Sequence, residues 1–430
     1  INEEYVENKD AENSINDSRS TEIIGEITEK RTLNQKHFLQ SDGTILTGIY
    51  PTAVHYEENG KLVDIDNSLE DVNEDNGMYQ NKNNIFKVKF SKKSNKNNLV
   101  KLNIKNHNIK WALLNSNKVE AKKIGKNDLD NSKLKLNNIA SGIIEYENIL
   151  ENIDLQYNVV SNSIKENIIL KDKAAINQEI SFEFKTDNLK MEKTEDNRIA
   201  FSEKNQESVI FILEAPYMYD AKNELCDDVQ IDLTEKNNKY IMTLKPSREW
   251  LENEERVYPV VIDPTVQTSL DYHYINDVYI FDGDAGYPNR HEAHILRVGS
   301  NNKLSSKGPT RSLLKFAIPN LNSGDQIISA MLDICSYPDT NEWAPATQEI
   351  QIDVHKMTSN WETKTASWSN LYNQYDSKIV DYVKYKYDSN NPIKFYYFDI
   401  TSIVKDWYIT GNNYGVLLKD HTETYNAQHS

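Results

Sequence analysis

The chain has 430 residues, 38% of them hydrophobic and 27% charged, a length that exceeds one ordinary core and points to two or three domains. With 66 acidic against 49 basic residues the formal net charge is −17, which repels phosphate backbones and anionic lipid and sets nucleic acid aside as a partner. No apolar run approaches the roughly 20 residues that cross a bilayer, and the two cysteines, Cys226 and Cys335, have the spacing of neither a metal site nor a redox motif.

Residues 1–26, INEEYVENKDAENSINDSRSTEIIGE, hold few large apolar side chains and read as a disordered polar lead-in. The chain opens on Ile1 rather than Met, which predicts a leader upstream. From there short alternating patterns dominate. Phe86, Val88 and Phe90 alternate with Lys87 and Lys89; Val100, Leu102 and Ile104 with Lys101 and Asn103; Ile180, Phe182 and Phe184 with Ser181 and Glu183. Further strand patterns follow at 208–213, 229–233 and 240–244, separated by Asn, Asp, Gly and Lys turns. Regular short strands without a long helical period predict an all-β protein of two consecutive β-sandwich, jelly-roll-like domains with few short helices.

The stretch RVYPVVIDPTVQTSL, residues 256–270, reads as a boundary, because Pro259 and Pro264 confine its strand to an edge or an end. One β-rich domain is therefore expected over 27–265 and a second over 271–430. Near the end, FDITSIVKDWYITGNNYGVLLKD places Ile403, Val404 and Trp407 on one face of a short helix, with Lys405 and Asp406 facing away. Asp399 and Thr401 are expected to cap it, Gly411 to end it, and the run Tyr414–Leu418 to form a buried strand. Ser402 has no general base near it in sequence.

The pieces DVYIFDGDAGYPN, HILRVGS, TRSLLKFAIP, ISAMLDI, SNWETKTASWSN, FDITSIVKDW and NYGVLLK stand in that order between residues 277 and 419. Their series resembles the DNRLRE domain, a β-sandwich related in shape to jelly-roll carbohydrate-binding modules. Upstream, residues 29–69, the run IIEYENILENIDLQYNVVSNSIKENIIL and VYPVVIDPT resemble the segment that precedes such domains in RHS-repeat, wall-associated proteins of Gram-positive bacteria. The resemblance implies the front end of a secreted or wall-associated polymorphic toxin, lying ahead of a YD-repeat shell. DNRLRE domains usually finish with a further strand after the NYGVLLK-like run, so a missing last strand and an exposed sheet edge are expected here.

Candidate sites follow from chemistry and from that likeness. In DGDAG, Asp282 and Asp284 offer two hard oxygen ligands to a calcium ion in a glycine-bent loop, although the EF-hand pattern is absent; related jelly rolls hold structural calcium. The alternative is a tight turn whose carboxylates bind backbone amides. HEAH, with His291 and His294 three apart on a strand pattern, lacks the helical four-residue spacing of a zinc protease. His273 lies near them in sequence, and His37, His55, His107, His355, His421 and His429 stand without an acidic or nucleophilic neighbour in the sequence. Sugar-binding sandwiches grip with exposed rings. Trp343, in the polar loop PDTNEWAPATQ, with Tyr287 of GYPNR as its neighbour, is the candidate glycan contact, whereas Trp361, Trp368 and Trp407 are expected to pack in the core. No catalytic residue is assigned.

Three readings are open at this point. The first is a non-catalytic targeting or assembly module that touches cell-wall or surface polysaccharide. The second is a structural plug or interaction platform docking on the RHS shell of the same polypeptide. The third is a polysaccharide-active enzyme, which needs a carboxylate pair in a cleft.

Overall fold

The computed structural model describes residues 21–72, 77–94, 98–104, 106–124, 142–161, 163–204, 208–221, 224–237, 239–267, 275–282, 296–300, 308–336, 349–386 and 394–423. Strands dominate, every strand ladder among them is antiparallel, and the α-helices described are the short Arg248–Glu252, Trp368–Leu371 and Thr401–Thr410. The protein is all-β, as the alternating patterns predict. Two compact units divide between Tyr272 and His273.

The unit Glu22–Tyr272 is built on two large sheets. One runs, neighbour to neighbour, through Val229–Lys236, Lys239–Pro246, Ile180–Thr186, His107–Leu113, Val100–Ile104, Phe86–Ser91, Met78–Asn83 and Asp66–Asp71. The other contains Gly142–Leu150, Ile153–Val160 and Ser163–Leu170, followed by Val266–Gln267, Val209–Leu213, Ile199–Glu203 and Leu189–Lys193. Alternation gives most of these strands one apolar face, and the apolar faces of the two sheets close on one core. Aromatic rings link them in series: Phe90 meets Tyr157 at 5.2 Å between centroids, Trp111 stacks on Phe184 at 5.7 Å, and Phe184 leads on to Phe201 and Phe211 at 6.0 Å each.

Two expectations change here. The strand Val260–Asp263 pairs on one side with Ser163–Leu170 and on the other with Tyr217–Tyr219, so it is interior; Pro259, lacking an N–H donor, sits immediately before it. The expected lead-in 1–26 contains the strand Ile23–Glu26, which adds to Gln35–Gln40. Its Glu26 carboxylate takes the Arg31 guanidinium through both Nε and Nη2 at 2.7 Å, and Arg31 continues to Asp64 at 2.8 Å. Ladder hydrogen bonds and a bidentate ion pair, rather than apolar burial, hold this strand.

The unit His273–Ser430 has a central sheet ordered Ile275–Phe281, Pro309–Phe316, Val416–Asp420, Ile350–Lys356 and Asp381–Tyr385, with Gly299–Ser300 beside the second. A two-stranded sheet, Met331–Ser336 with Lys394–Asp399, and the helix Thr401–Thr410 cover one of its faces. Val416–Asp420, the last strand described, is buried along its length and paired on both sides, so it occupies the middle of the sheet. Gly415, immediately before it, has φ +84°, and a Cβ there would come within 2.1 Å of the Leu314 carbonyl oxygen, so no other residue fits that approach.

The C-terminal helix follows its pattern, with Ile403, Val404 and Trp407 buried and Gly411 left-handed at its end. Its cap differs in part. Thr401 lies inside the first turn, where its hydroxyl accepts the Ala330 N–H at 2.9 Å, while the Asp399 carboxylate accepts the Thr401 N–H at 2.8 Å. The longer reach of the threonine to a neighbouring strand takes it away from the helix terminus.

Candidate functional site

Trp343, Tyr287 and Asp284 lie outside the described residues, as do His273, His291, His294 and His429. Asp282 is placed at the end of strand Ile275–Phe281, where its N–H donates to the Pro309 carbonyl at 3.0 Å and its Cβ closes on Gly308. Among the described residues no three His, Cys, Asp or Glu side chains gather as metal ligands.

Of the three tryptophans expected to pack in the core, two are buried and one is partly so. Trp407 and Trp361 are buried, the latter donating from Nε1 to the Tyr414 carbonyl at 2.8 Å, and Trp368 is half-buried. Trp361 and Trp368 belong to the segment that closes the second face of the central sheet, together with Leu371 and Tyr375. Beneath it Arg311 lies 4.4 Å from the Trp368 ring and 5.1 Å from that of Tyr375, while its guanidinium grips the Glu423 carboxylate at 2.6 and 2.7 Å. Lys419, across the ladder from Arg311, also reaches Glu423, at 3.3 Å. These cations are neutralised from within.

Histidines that stand isolated in the sequence acquire acidic companions in the fold, some across a strand ladder and one, His107, between the two large sheets. His421 Nδ1 lies 2.8 Å from Asp353, His107 Nε2 lies 3.1 Å from Glu203, and the enclosed His55 Nε2 lies 3.5 Å from Asp64 and 3.7 Å from Glu26. Lys36 and Arg31 hold Asp64 as well, and these contacts keep its carboxyl well below the usual range. His355 is buried against Tyr375, with Nδ1 2.9 Å from the Asp376 carbonyl, and burial pushes its pKa down. A shallow surface depression among the described residues, bordered by Lys190, Met191, Glu192, Ala200, Ser202 and Val209, is open and has a single carboxylate on its rim.

The outer face of the two-stranded sheet is different. Leu332, Tyr396 and Phe398 point inward to the core, so the alternate positions Met331, Asp333 and Cys335 and, across the ladder, Asp399, Tyr397 and Phe395 share the other face. Tyr397 is 47% exposed, directly opposite Asp333, and Met331 is 50% exposed opposite Asp399. Desolvation pushes the Asp333 carboxyl above its ordinary range. A ring beside a carboxylate on a pleated surface supplies a stacking plane and a hydrogen-bond acceptor at one cross-strand spacing, about 5 Å.

Residues 268–430 match carbohydrate-binding module family 96. The match covers the stretch whose ordered motifs resemble the DNRLRE domain, and the ring-and-carboxylate face lies within it. Over nearly all its length the chain is 25% identical to the tRNA(Glu)-specific nuclease WapA of Bacillus subtilis subsp. natto, an alignment covering 97% of the chain and 17% of that protein. It is likewise 25% identical to the tRNA nuclease WapA of Bacillus subtilis strain 168, over 97% of the chain and 18% of that protein. A wall-associated protein of Geobacillus stearothermophilus is 28% identical over 46% of the chain and 75% of its own length. The chain thus spans less than a fifth of the WapA proteins it matches. No solved structure matches it.

Proposed function

We propose that this chain is a secreted, wall-associated targeting module of a large RHS-type toxin, and that its C-terminal unit, of DNRLRE type, binds cell-wall or surface carbohydrate without chemistry of its own. The observation that carries the reading is the exposed ring of Tyr397 beside Asp333, on an open sheet face within the region that matches a carbohydrate-binding family. A pyranose presents an apolar face to such a ring and hydroxyls to the carboxyl. Trp343, seven residues beyond the end of strand Met331–Ser336, and Tyr287 are proposed as further contacts, and Asp282 with Asp284 as calcium ligands. The net charge of −17 leaves any handling of tRNA to other parts of so long a protein.

The test is co-sedimentation of the chain with purified Gram-positive cell walls and insoluble polysaccharides, with and without chelator. Tyr397→Ala is expected to weaken binding at least about tenfold, the equivalent of about 1.4 kcal/mol lost with the stacking ring, while the melting temperature stays put because the ring is on the surface. Undiminished binding by the variant would remove the face from the account, and no binding by the parent chain would remove carbohydrate.

A second reading, a platform docking on the RHS shell of the same polypeptide, is favoured by one feature. Ile23, Ile24, Leu39 and Ile45 are exposed on the small sheet formed by Ile23–Glu26, Gln35–Gln40 and Ile45–Ile49, where Leu39 pairs directly with Ile45. Loss of shell binding in an Ile24→Ser and Ile45→Ser double variant would support it.

A further inference from the structure

The strands Ile153–Val160 and Ser163–Leu170 set an amine and an amide side by side, each without a hydrogen-bond partner for its outer atom. Alternation sends Ile164, Glu166 and Ile168 into the core with Leu155, Tyr157 and Val159, so Gln156, Asn158, Lys165 and Asn167 share the other side. The register pairs Gln156 with Asn167 and Asn158 with Lys165. On the far side Ile168 pairs with Ile262 and Ile164 with Val266, which brings Asp263 beside Asn167 and Thr265 beside Lys165. The row through Asn167 is closed by hydrogen bonds. Asn167 donates to Gln156 at 3.2 Å and Gln156 to Glu145 at 3.1 Å, while the Tyr217 and Thr265 hydroxyls donate to the buried Asp263 at 2.9 and 2.7 Å. The row through Lys165 is not closed. Half-buried Lys165 forms neither a hydrogen bond nor an ion pair among the described residues, and the enclosed Oδ1 of Asn158, directly opposite, has no hydrogen-bond partner there either. Burial lowers the pKa of the Lys165 amine against the opposing pull of Asp263.

We propose that Lys165 and Asn158 join through an isopeptide bond, a cross-link the chain forms on itself after folding, with Asp263 as the base. Directly opposite residues have Cβ atoms about 5 Å apart, a span that the four-carbon lysine stem covers with slack. Nζ, as the uncharged amine that burial favours, attacks Cγ of Asn158. The Nζ–Cγ bond forms and the Cγ–Nδ2 bond breaks. Asp263 passes the proton shed by Nζ to Nδ2, which leaves as ammonia, and no oxidant or further reactant enters. Tyr217 and Thr265 hold the Asp263 carboxylate on this face, and the enclosure of the Asn158 amide oxygen keeps water from taking the place of the amine. The new bond closes only a short loop, so it adds little to global stability and chiefly keeps the two strands from parting.

The experiment is the intact mass of the folded 430-residue chain, followed by trypsin digestion, before and after long incubation at about pH 9, where more of the amine is uncharged. The expected mass after incubation is one ammonia below that of the sequence. Trypsin, which needs a free side chain, should fail to cut after Lys165, and the peptide running on to Lys171 should yield no fragments from within 158–165, because the bridge makes that stretch a ring. Lys165→Arg and Asp263→Asn should each keep the full mass. Full mass and a normal cut after Lys165 in the incubated parent would overturn the cross-link, a result that depends on no variant folding. Loss of ammonia that persists in Lys165→Arg would place it at an asparagine alone, as a cyclic imide, and would overturn the cross-link equally. A bridge that still forms in Asp263→Asn would overturn the role of Asp263.

Discussion

Replacing Asp220 by alanine is expected to cost the unit Glu22–Tyr272 about 3–5 kcal/mol, the range for removing one member of a buried ion pair. The side chains of Arg256 and Asp220 are 3% and 0% exposed, and Nη1 meets Oδ2 at 3.0 Å. Asp220 also accepts the N–H of Glu224 at 3.0 Å and of Val257 at 3.1 Å, so one carboxylate ties the chain on either side of the helix Arg248–Glu252. The guanidinium lies 3.7 Å from the Trp250 ring, with the half-exposed Glu224 as its other acidic partner. The two halves of the pair are not equivalent. Without Asp220 a cation that cannot lose its proton stays enclosed, whereas without Arg256 the carboxylate keeps two backbone donors. Arg256→Met should therefore cost less than Asp220→Ala, and the double variant Asp220→Leu, Arg256→Met should recover part of the loss. Urea unfolding followed by tryptophan fluorescence reads all three. Equal losses in the two single variants would contradict the asymmetry.

The second large effect is one of pH. Glu166 is buried among the apolar side chains of strand Ser163–Leu170, facing Tyr157 across the ladder, with Trp111 donating to the Tyr157 hydroxyl at 3.1 Å. Its Oε1 has no hydrogen-bond partner among the described residues, and burial pushes its pKa up to about 8. The folded state therefore holds a proton that the unfolded chain releases near pH 4.5. Stability from this group is complete below that pH, falls as pH rises, and is gone once pH has passed through about 8. Glu166→Gln, neutral throughout, should be close to the parent at pH 5 and more stable by a few kcal/mol at pH 9, since each tenfold difference in proton affinity between the folded and unfolded chain corresponds to about 1.4 kcal/mol. Melting curves across that range test it, and parallel pH profiles for the two proteins would show that the carboxyl does not titrate in the core.

Much of this architecture is legible in the residues, and what is not has definable causes. Strands such as Phe86–Ser91 and Val100–Ile104 show a period of two that only a half-buried sheet requires. The helix Thr401–Thr410 shows in Ile403, Val404, Trp407 and Gly411 because spacing and a left-handed end are local properties. Glu166 is legible too: in SIKENIIL it takes the same phase as Ile164 and Ile168, so the alternation itself sends a carboxyl into the core. The histidine pairs are hidden, since His421 and Asp353 are 68 residues apart in sequence and meet only through the pairing of Val416–Asp420 with Ile350–Lys356. The platform is hidden for another reason. In KFYYFD the four central residues are all aromatic, so alternation does not say which phase is open; Tyr397 faces outward because Tyr396 and Phe398 pack under the helix and the central sheet.

The measurement that bears most directly on the carbohydrate reading is amide hydrogen exchange of the 430-residue chain, free and adsorbed on the wall polysaccharide with which it sediments. Slowed exchange confined to Met331–Ser336 and Lys394–Asp399, absent in Tyr397→Ala, is the predicted result. Adsorption with unchanged exchange in both strands, and protection elsewhere, would contradict it.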